Sequence, residues 1–182
     1  MSTTETPYTR VAVILHWLIA VLIFCTFPLG LYMSDLPLSP ARVKLFSYHK
    51  WIGITILALA ILRLGWRSFH RPPPLPATMP RWQQVASHAL HHLFYLFLLV
   101  VPLSGWLMSS AKGFQTVWLG ILPLPDLVSK DKALGELLTE VHESLNWMLL
   151  VLVCVHVAAA LKHHFIDRDG LLLRMALRKR TV

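Results

Sequence analysis

Four long apolar segments, separated by polar connections, set the pattern of the chain. They lie at about 11–33, 46–66, 88–109 and 142–164. Each approaches the roughly 20 residues that an α-helix needs to cross a bilayer. A helix satisfies its own backbone hydrogen bonds in hydrocarbon, and four such helices pack most economically as an antiparallel bundle. The pattern therefore predicts a single all-α domain over residues 1–182, an integral membrane four-helix bundle.

The composition supports a membrane protein and excludes other classes. Hydrophobic residues make up 55% of the 182 residues and charged residues only 14%, whereas roughly a quarter of the residues of a soluble domain are charged. The net charge of +8 therefore indicates basic flanks of membrane helices and not a nucleic-acid-binding surface. The two cysteines lie outside any Cys-x-x-Cys or Cys-x-x-Cys-His motif, which excludes a redox dithiol and a covalently attached c-type haem.

The distribution of Lys and Arg predicts the orientation of the bundle. With both termini on one side, that side carries eleven of these residues and the other side carries six. Since the more basic side faces the cytoplasm, we expect both termini and the proline-rich linker at 71–80 to be cytoplasmic, in a bacterial inner membrane. The connection at 110–140 then lies outside. Its DKALGELLTEVHE segment is expected to form a helical turn or two on the membrane surface.

Histidines occur at matching depths in three of the predicted spans. His142 and His156 are fourteen residues apart, so they share a helix face and lie about 21 Å apart along the axis. By the predicted topology, His16 lies at the depth of His156 near the cytoplasmic side. His49 likewise lies at the depth of His142 near the outer side. A histidine inside a membrane is costly and is by default a functional candidate.

Two histidine pairs, one in each leaflet, have the geometry of bis-histidine haem ligation. We therefore predict that His16 with His156, and His49 with His142, are the axial ligands of two haem irons. Zinc or copper would need three or four ligands at one depth, and the outer level offers only two histidines. The inner level is more crowded, and other histidines there compete for the haem. These are His88, His91, His92, His163 and His164.

Five stretches of the chain resemble the prokaryotic cytochrome b561 family. They are YTRVAVILHW, YHKWIGITILALAILRL, HHLFYLFLLVVPLSGWLM, VHESLNWMLLVLVCVHVAAALKHHF and LLLRM, and the resemblance covers residues from about 7 to 180. It implies a four-helix membrane protein with two b haems, whose ligand positions fall on the same four histidines. Within the family the chain is most similar to the superoxide oxidases. This similarity implies electron transfer from periplasmic superoxide through the haems to ubiquinone.

The resemblance also implies a quinone site at the cytoplasmic end of the bundle. A histidine just past the last ligand makes His163 the first candidate and His164 the second. The family pattern also has a basic residue in the linker between the second and third spans. The corresponding PPPLPATMPRW has no lysine, so Arg81 is the candidate by position only.

Basic residues at the two ends of the second span have more than one possible role. Lys50, adjacent to His49, is our candidate catalytic residue, expected to attract superoxide, to pair with a haem propionate, or both. Arg63 and Arg67 are four residues apart and share a helix face. They either hold propionates of the inner haem or, as we favour, anchor the helix end at the membrane boundary.

The sequence leaves three functions in competition. We favour a superoxide:quinone oxidoreductase whose partners are the lipid bilayer, superoxide and quinone. The same diheme bundle would also suit a cytochrome b subunit that carries electrons for a hydrogenase, a dehydrogenase or a periplasmic cytochrome. The short outer loops argue against a large partner, so we predict no obligate protein partner. The third possibility is a metal-binding or structural membrane protein without redox activity.

Overall fold

The computed structural model describes residues 7–76 and 78–176 and is almost entirely helical. Its long helices are α1 (Arg10–Asp35), α2 (Pro40–Phe69), α3 (Arg81–Ala111) and α4 (Lys132–Lys162). All four are long and apolar enough to cross a membrane, which confirms the predicted all-α membrane bundle. Three of the basic residues that we counted on the predicted cytoplasmic side lie outside the described residues. They are Arg178, Lys179 and Arg180.

Side-chain caps fix where three of the helices begin. Thr9, Ser39 and Asp131 each accept a hydrogen bond from a backbone N–H in the first turn of the helix that follows, at 3.3, 3.2 and 3.0 Å. Pro40 is the first residue of α2, a position where its missing N–H would have had no helical partner. The helices therefore start in the polar sequence that precedes each apolar span.

The segment DKALGELLTEVHE does not form separate turns on the membrane surface, so that expectation was wrong. Asp131 caps it, and from Lys132 it runs without a break into the last span as part of α4. It is rich in the good helix formers Ala, Leu and Glu and contains no proline, so nothing separates it from the span. With 31 residues, α4 is about 46 Å long and exceeds the hydrocarbon core of a bilayer.

The connection between α3 and α4 contains a small antiparallel hairpin of β1 (Val117–Trp118) and β2 (Leu122–Pro123). Two indole groups fasten this hairpin to α2. Trp51 donates from Nε1 to the carbonyl oxygen of Val117 at 2.6 Å, and Trp118 donates to a threonine hydroxyl of α2 at 3.1 Å. The outer connection is therefore held against the bundle.

After α4 the chain folds back over the end of the bundle that the sequence predicts to be cytoplasmic. A π-helical turn (His163–Asp167) is followed by a short 3-10 helix (Leu171–Met175). The indole of Trp17 on α1 donates to the carbonyl oxygen of Met175 at 2.8 Å. This bond ties the end of the described chain to the residue next to His16.

The helices are packed unevenly around the bundle. Close backbone contacts join α1 to α2, α2 to α3 and α3 to α4, whereas α4 makes few such contacts with α1 or α2. Buried side chains fill the middle of the first three helices. They are Ile19, Ile56, Ala60 and Leu98. A gap is therefore left between α4 and the two helices α1 and α2.

Candidate functional site

The four histidines proposed as ligands lie in two pairs across this gap. The ring centres of His49 on α2 and His142 on α4 are 6.3 Å apart, with 86° between the ring planes. Those of His16 on α1 and His156 on α4 are 6.2 Å apart, with 69° between the planes. Following the predicted topology, we call the first pair the outer layer and the second the inner layer. The structure thus brings together the same two pairs that membrane depth indicated.

The ring separation in each layer fits one iron ion held between two imidazoles. A metal lies about 2 Å from a histidine nitrogen and the ring centre about 1 Å beyond it, so two opposed imidazoles on one iron have centres roughly 6 Å apart. Both pairs have this spacing. Two histidine nitrogens facing each other are the axial donor set of a b haem.

The space between the paired helices also fits a flat macrocycle. The helices that carry opposed histidines, α1 with α4 and α2 with α4, are not in close backbone contact. The cavity between His49 and His142 has an almost wholly apolar lining from all four helices, which includes Phe24, Phe97 and Leu149. An apolar lining suits the porphyrin face, and opposed imidazoles suit the iron.

His142 is held so that one ring nitrogen is available to a metal. Its Nδ1 lies 3.1 Å from the carbonyl oxygen of Val101 and 2.9 Å from Oγ of Ser104, both on α3. Because a carbonyl oxygen can only accept, Nδ1 carries the hydrogen and Nε2 keeps its lone pair. Metal-binding histidines are commonly oriented by such a bond from the second ring nitrogen.

Two glycines let neighbouring helices approach the outer rings closely. A Cβ atom at Gly105 would lie 2.9 Å from Cε1 of His142, and one at Gly30 would lie 3.1 Å from Cε1 of His49. Thr26, one turn before Gly30 on α1, places its Oγ1 3.1 Å from Nδ1 of His49. Both outer rings are therefore held by a hydroxyl group and a close helix backbone.

The inner layer lies beside positive charge. Arg63 donates from Nη1 to the carbonyl oxygen of Ala12 at 3.3 Å and from Nε to the hydroxyl of Tyr95 at 3.4 Å. Because Ala12 lies one turn before His16 on α1, the guanidinium is held near the level of the inner layer. The Arg67 guanidinium lies over the ring of Tyr95, 5.5 Å from its centre. In the described part of the chain, neither arginine forms an ion pair with a carboxylate.

His91 on α3 is a third imidazole at the inner level and one of the competitors that the sequence left open. Its ring centre lies 5.9 Å from that of His156. However, α3 and α4 are in close backbone contact, whereas α1 and α4 are apart. A flat haem needs the wider gap, so the packing favours His16 over His91 as the partner of His156.

Lys50 reaches into the outer connection. Its Nζ donates to Oγ of Ser109 at 3.3 Å and to the carbonyl oxygens of Phe114 and Gln115 at 3.3 and 3.0 Å. All three acceptors are uncharged, and Asp126 lies near enough to interact with the ammonium group electrostatically. Lys50 thus fastens the loop after α3 and keeps a positive charge at the outer end of the bundle.

His163 lies in a network of charged groups at the end of the bundle next to the inner layer. Its Nδ1 is 2.6 Å from Oδ2 of Asp169 and 3.0 Å from Oδ2 of Asp167. Lys162 contacts the same oxygen of Asp167 at 2.5 Å. His163 follows His156 by seven residues, close to two helical turns, which places it just past the end of α4, near the face that carries His156. With Nδ1 facing carboxylates, Nε2 of His163 is the nitrogen left for another partner.

The other two candidates for a quinone site are placed differently. The ring of His164 packs edge-on against Phe165, with ring centres 4.7 Å apart. Arg81 is the first residue of α3, and its side chain is exposed. Within the described residues neither side chain is hydrogen-bonded to His163.

Sequence reasoning did not single out the residues that support the outer rings: Thr26, Gly30, Ser104 and Gly105. A signal for them was present. Small and hydroxyl-bearing residues that recur at helical spacing within apolar spans are typical of close helix approach and interhelical hydrogen bonds. Thr26 and Gly30 are separated by one turn, and Ser104 and Gly105 are adjacent in the third span.

Comparisons with known proteins cover nearly the whole chain. A sequence model of the family described as prokaryotic cytochrome b561 matches residues 7–177. The chain is 36% identical over 179 residues to cytochrome b561 homolog 2 of Escherichia coli (strain K12), covering 96% of this chain and 95% of that protein. It is 30% identical over 179 residues to cytochrome b562 of Cereibacter sphaeroides, covering 95% and 97%. It is 26% identical over 181 residues to the probable superoxide oxidase CybB of Yersinia pestis, covering 95% and 97%.

Proposed function

We propose that this chain, which belongs to the prokaryotic cytochrome b561 family, is a superoxide:quinone oxidoreductase of the bacterial inner membrane. The family consists of membrane electron-transfer proteins that bind b haem. Our proposal goes further in three respects. The chain binds two b haems, takes electrons from superoxide on the periplasmic side, and delivers them to ubiquinone on the cytoplasmic side, where both termini lie.

The observation that carries the two-haem proposal is one ligand geometry repeated at two depths. Each layer has opposed imidazoles at the same separation, 6.2 and 6.3 Å, across helices that otherwise stay apart. Bound haem supplies one-electron transfer, and iron with two histidine ligands has no open position for oxygen binding. A chain that offers such sites near both membrane surfaces is suited to moving electrons across the bilayer.

The outer end of the bundle suits a small anionic donor. The charge of Lys50 is held beside uncharged oxygens next to the ligand His49. Lys112 and Lys130 lie at the outer ends of α3 and α4, where their side chains pack on backbone glycines. Fixed positive charges raise the encounter rate of an anion. The name of the Yersinia pestis relative supports superoxide as that anion.

The inner end suits proton-coupled reduction of a quinone. Two superoxide ions each lose one electron and leave as O₂, and one quinone takes up two electrons and two protons to become quinol. His163 is placed to exchange a proton through Nε2, because Asp169 holds Nδ1. Arg63 and Arg67, which form no ion pair with a carboxylate within the described residues, suit the propionate groups of an inner haem, and we favour that role over simple anchoring.

A second function is favoured by the names of the more similar relatives, which are given only as cytochromes. A cytochrome b subunit that serves a hydrogenase, a dehydrogenase or a periplasmic cytochrome would need the same two haem sites. It would differ in its donor, since a protein would replace superoxide at the outer surface. A kinetic experiment with superoxide therefore separates the two functions.

The test uses the purified full-length haem-loaded protein in a stopped-flow spectrometer. We expect superoxide to reduce the b haems faster than uncharged one-electron reductants do, and added ubiquinone to reoxidise them. Since one charge about 10 Å from the path changes the energy of a passing anion by roughly 0.4 kcal/mol in water, Lys50→Met should slow the superoxide reaction about twofold. Lys44→Met, the same change at a lysine that precedes Lys50 on α2, is the matched control.

Reduction by superoxide that is no faster than by other small reductants would overturn the proposed donor and leave the cytochrome subunit. Equal slowing by both lysine variants would remove the specific role of Lys50 while keeping superoxide as the donor. The rate with superoxide should also fall as ionic strength rises, because salt screens the attraction of the anion. Superoxide dismutase added before mixing should abolish the reaction.

A further inference from the structure

The two histidine layers differ in what their ligand rings contact. In the outer layer His142 donates from Nδ1 to the carbonyl oxygen of Val101, and His49 is hydrogen-bonded to Thr26. In the inner layer, the ring nitrogens of His16 and His156 make no hydrogen bond within residues 7–76 and 78–176. The outer rings are therefore fixed by neutral oxygen atoms that the inner rings lack.

The layers also differ in nearby charge. The guanidinium of Arg63 donates to the carbonyl oxygen of Ala12, one turn before His16, at 3.3 Å, and it has no carboxylate partner among the described residues. The outer rings meet two hydroxyl groups and a carbonyl oxygen instead. Lys50 follows His49 in the chain, but its ammonium group is bound to the loop after α3.

Both differences widen the gap between the reduction potentials of the two haem sites. A hydrogen bond from Nδ1–H to an oxygen makes the imidazole a stronger electron donor, which stabilises ferric iron and lowers the reduction potential. A cation beside the site stabilises the form with one positive charge fewer, the ferrous form, and raises the potential. The outer layer has the first feature, and the inner layer has the second.

We infer that these contacts give the inner haem site a higher reduction potential than the outer site, so that electrons run from the periplasmic to the cytoplasmic side. Thr26 and Ser104 act by positioning the outer ligands, and Arg63 acts through its charge at the inner ones. The inference rests on the proposed two-haem function and adds a direction to it. It attributes the difference in reduction potential to these three side chains, none of which is itself oxidised or reduced.

A redox titration of the haem-loaded protein, followed by absorption, tests this without measuring turnover. Wild-type protein should show two midpoint potentials. Arg63→Gln should lower only the higher potential, by about 59 mV. For a one-electron couple this shift equals a tenfold change in the oxidised-to-reduced ratio. Thr26→Val, which keeps the shape and removes the hydroxyl, should raise only the lower one.

Matched variants distinguish a specific effect on the reduction potential from a structural defect. Arg63→Lys keeps the charge and should restore most of the wild-type potential, which a merely structural defect would not predict. Thr55→Val removes a hydroxyl bound to the hairpin and to the backbone of α2, and it should move neither potential. Ser104→Ala is a second outer variant, expected to raise the lower potential by less because Val101 still accepts from His142.

Three results would overturn the inference. One is an Arg63→Gln variant that shifts the lower potential or neither. Another is a Thr26→Val variant that shifts the higher potential or neither. The third is a single haem per wild-type chain, which would defeat the proposed two-haem function first. The haem-to-protein ratio, measured before the titration, tells this third failure from the other two and shows that each variant is folded.

Discussion

Replacing Gly105 by alanine should weaken haem binding in the outer layer. The new Cβ would lie 2.9 Å from Cε1, 3.3 Å from Nδ1 and 3.5 Å from Nε2 of His142. Since carbon atoms in contact are about 3.5–4.0 Å apart, the ring or α3 must move by roughly 0.6–1 Å. In the haem-free protein the ring is able to shift at the cost of its hydrogen bonds to Val101 and Ser104. When Nε2 is bound to iron the ring is fixed, so the cost falls on the haem-bound state.

The size of the effect follows from the cost of overpacking. Forcing an additional carbon into a filled site costs about 1–3 kcal/mol, which corresponds to a roughly 5- to 150-fold weaker affinity. A displaced ring would also lengthen the hydrogen bonds of Nδ1 to Val101 and Ser104, now 3.1 and 2.9 Å. We therefore expect a weaker outer haem site and a change in its absorption bands.

The assay is titration of the haem-free protein with haem, followed by the Soret absorbance. Gly65→Ala is the matched control, because Gly65 is an exposed glycine of α2 and a Cβ there meets no atom within 4 Å. It should leave both haem affinities unchanged. A Gly105→Ala protein with wild-type affinity and spectrum at both sites would refute the close approach of α3 to the ring of His142.

Further predictions concern the inner layer, the cytoplasmic end and the outer hairpin. His16→Ala should lose one haem per chain and His91→Ala none, as counted by the pyridine haemochrome assay. The reverse would make His91 the inner ligand. His163→Ala should slow haem oxidation by ubiquinone and leave reduction by superoxide unchanged, with His164→Ala as its control in stopped-flow experiments; equal effects would argue against the network around His163. Trp51→Phe removes the hydrogen bond to β1, worth about 1 kcal/mol. It should speed hydrogen exchange in the hairpin without loss of haem. Unchanged exchange would show that the hydrogen bond from Trp51 does not hold the hairpin against α2.

The sequence was sufficient to predict the architecture and the pairing of the histidines. Hydropathy alone locates the spans, because a chain segment in hydrocarbon must satisfy its own backbone hydrogen bonds and therefore forms a long apolar helix. Alternating span direction then brings His16 to the level of His156 and His49 to that of His142, with no knowledge of helix contacts. Helical periodicity adds that both α4 histidines share one face. These steps depend on geometry that every membrane helix obeys.

The surroundings of the rings were beyond the sequence, because they depend on how α3 packs on α4. Nothing in the chain pattern showed that Gly105 faces His142, or that Val101 offers its carbonyl oxygen to Nδ1. Depth alone also left His91 among the possible competitors of His16. The helix packing distinguishes these two histidines, since α3 contacts α4 closely and α1 does not. The outer connection was likewise unpredictable, because two indole hydrogen bonds to and from α2 determine its position.

A single helix carries one proposed ligand for each haem, and this has a consequence for how the protein is tuned. Because His142 and His156 belong to the same unbroken helix, their separation along its axis is fixed at about 21 Å by the helical rise. The groups that distinguish the two layers come from other helices: Thr26 from α1, Ser104 from α3 and Arg63 from α2. If two haems bind as proposed, substitutions at these positions should alter the potentials while the distance along α4 stays constant. Changes in electron-transfer rate among such variants should follow the measured potentials, and a change in rate without a shift in potential would show that α4 itself had moved.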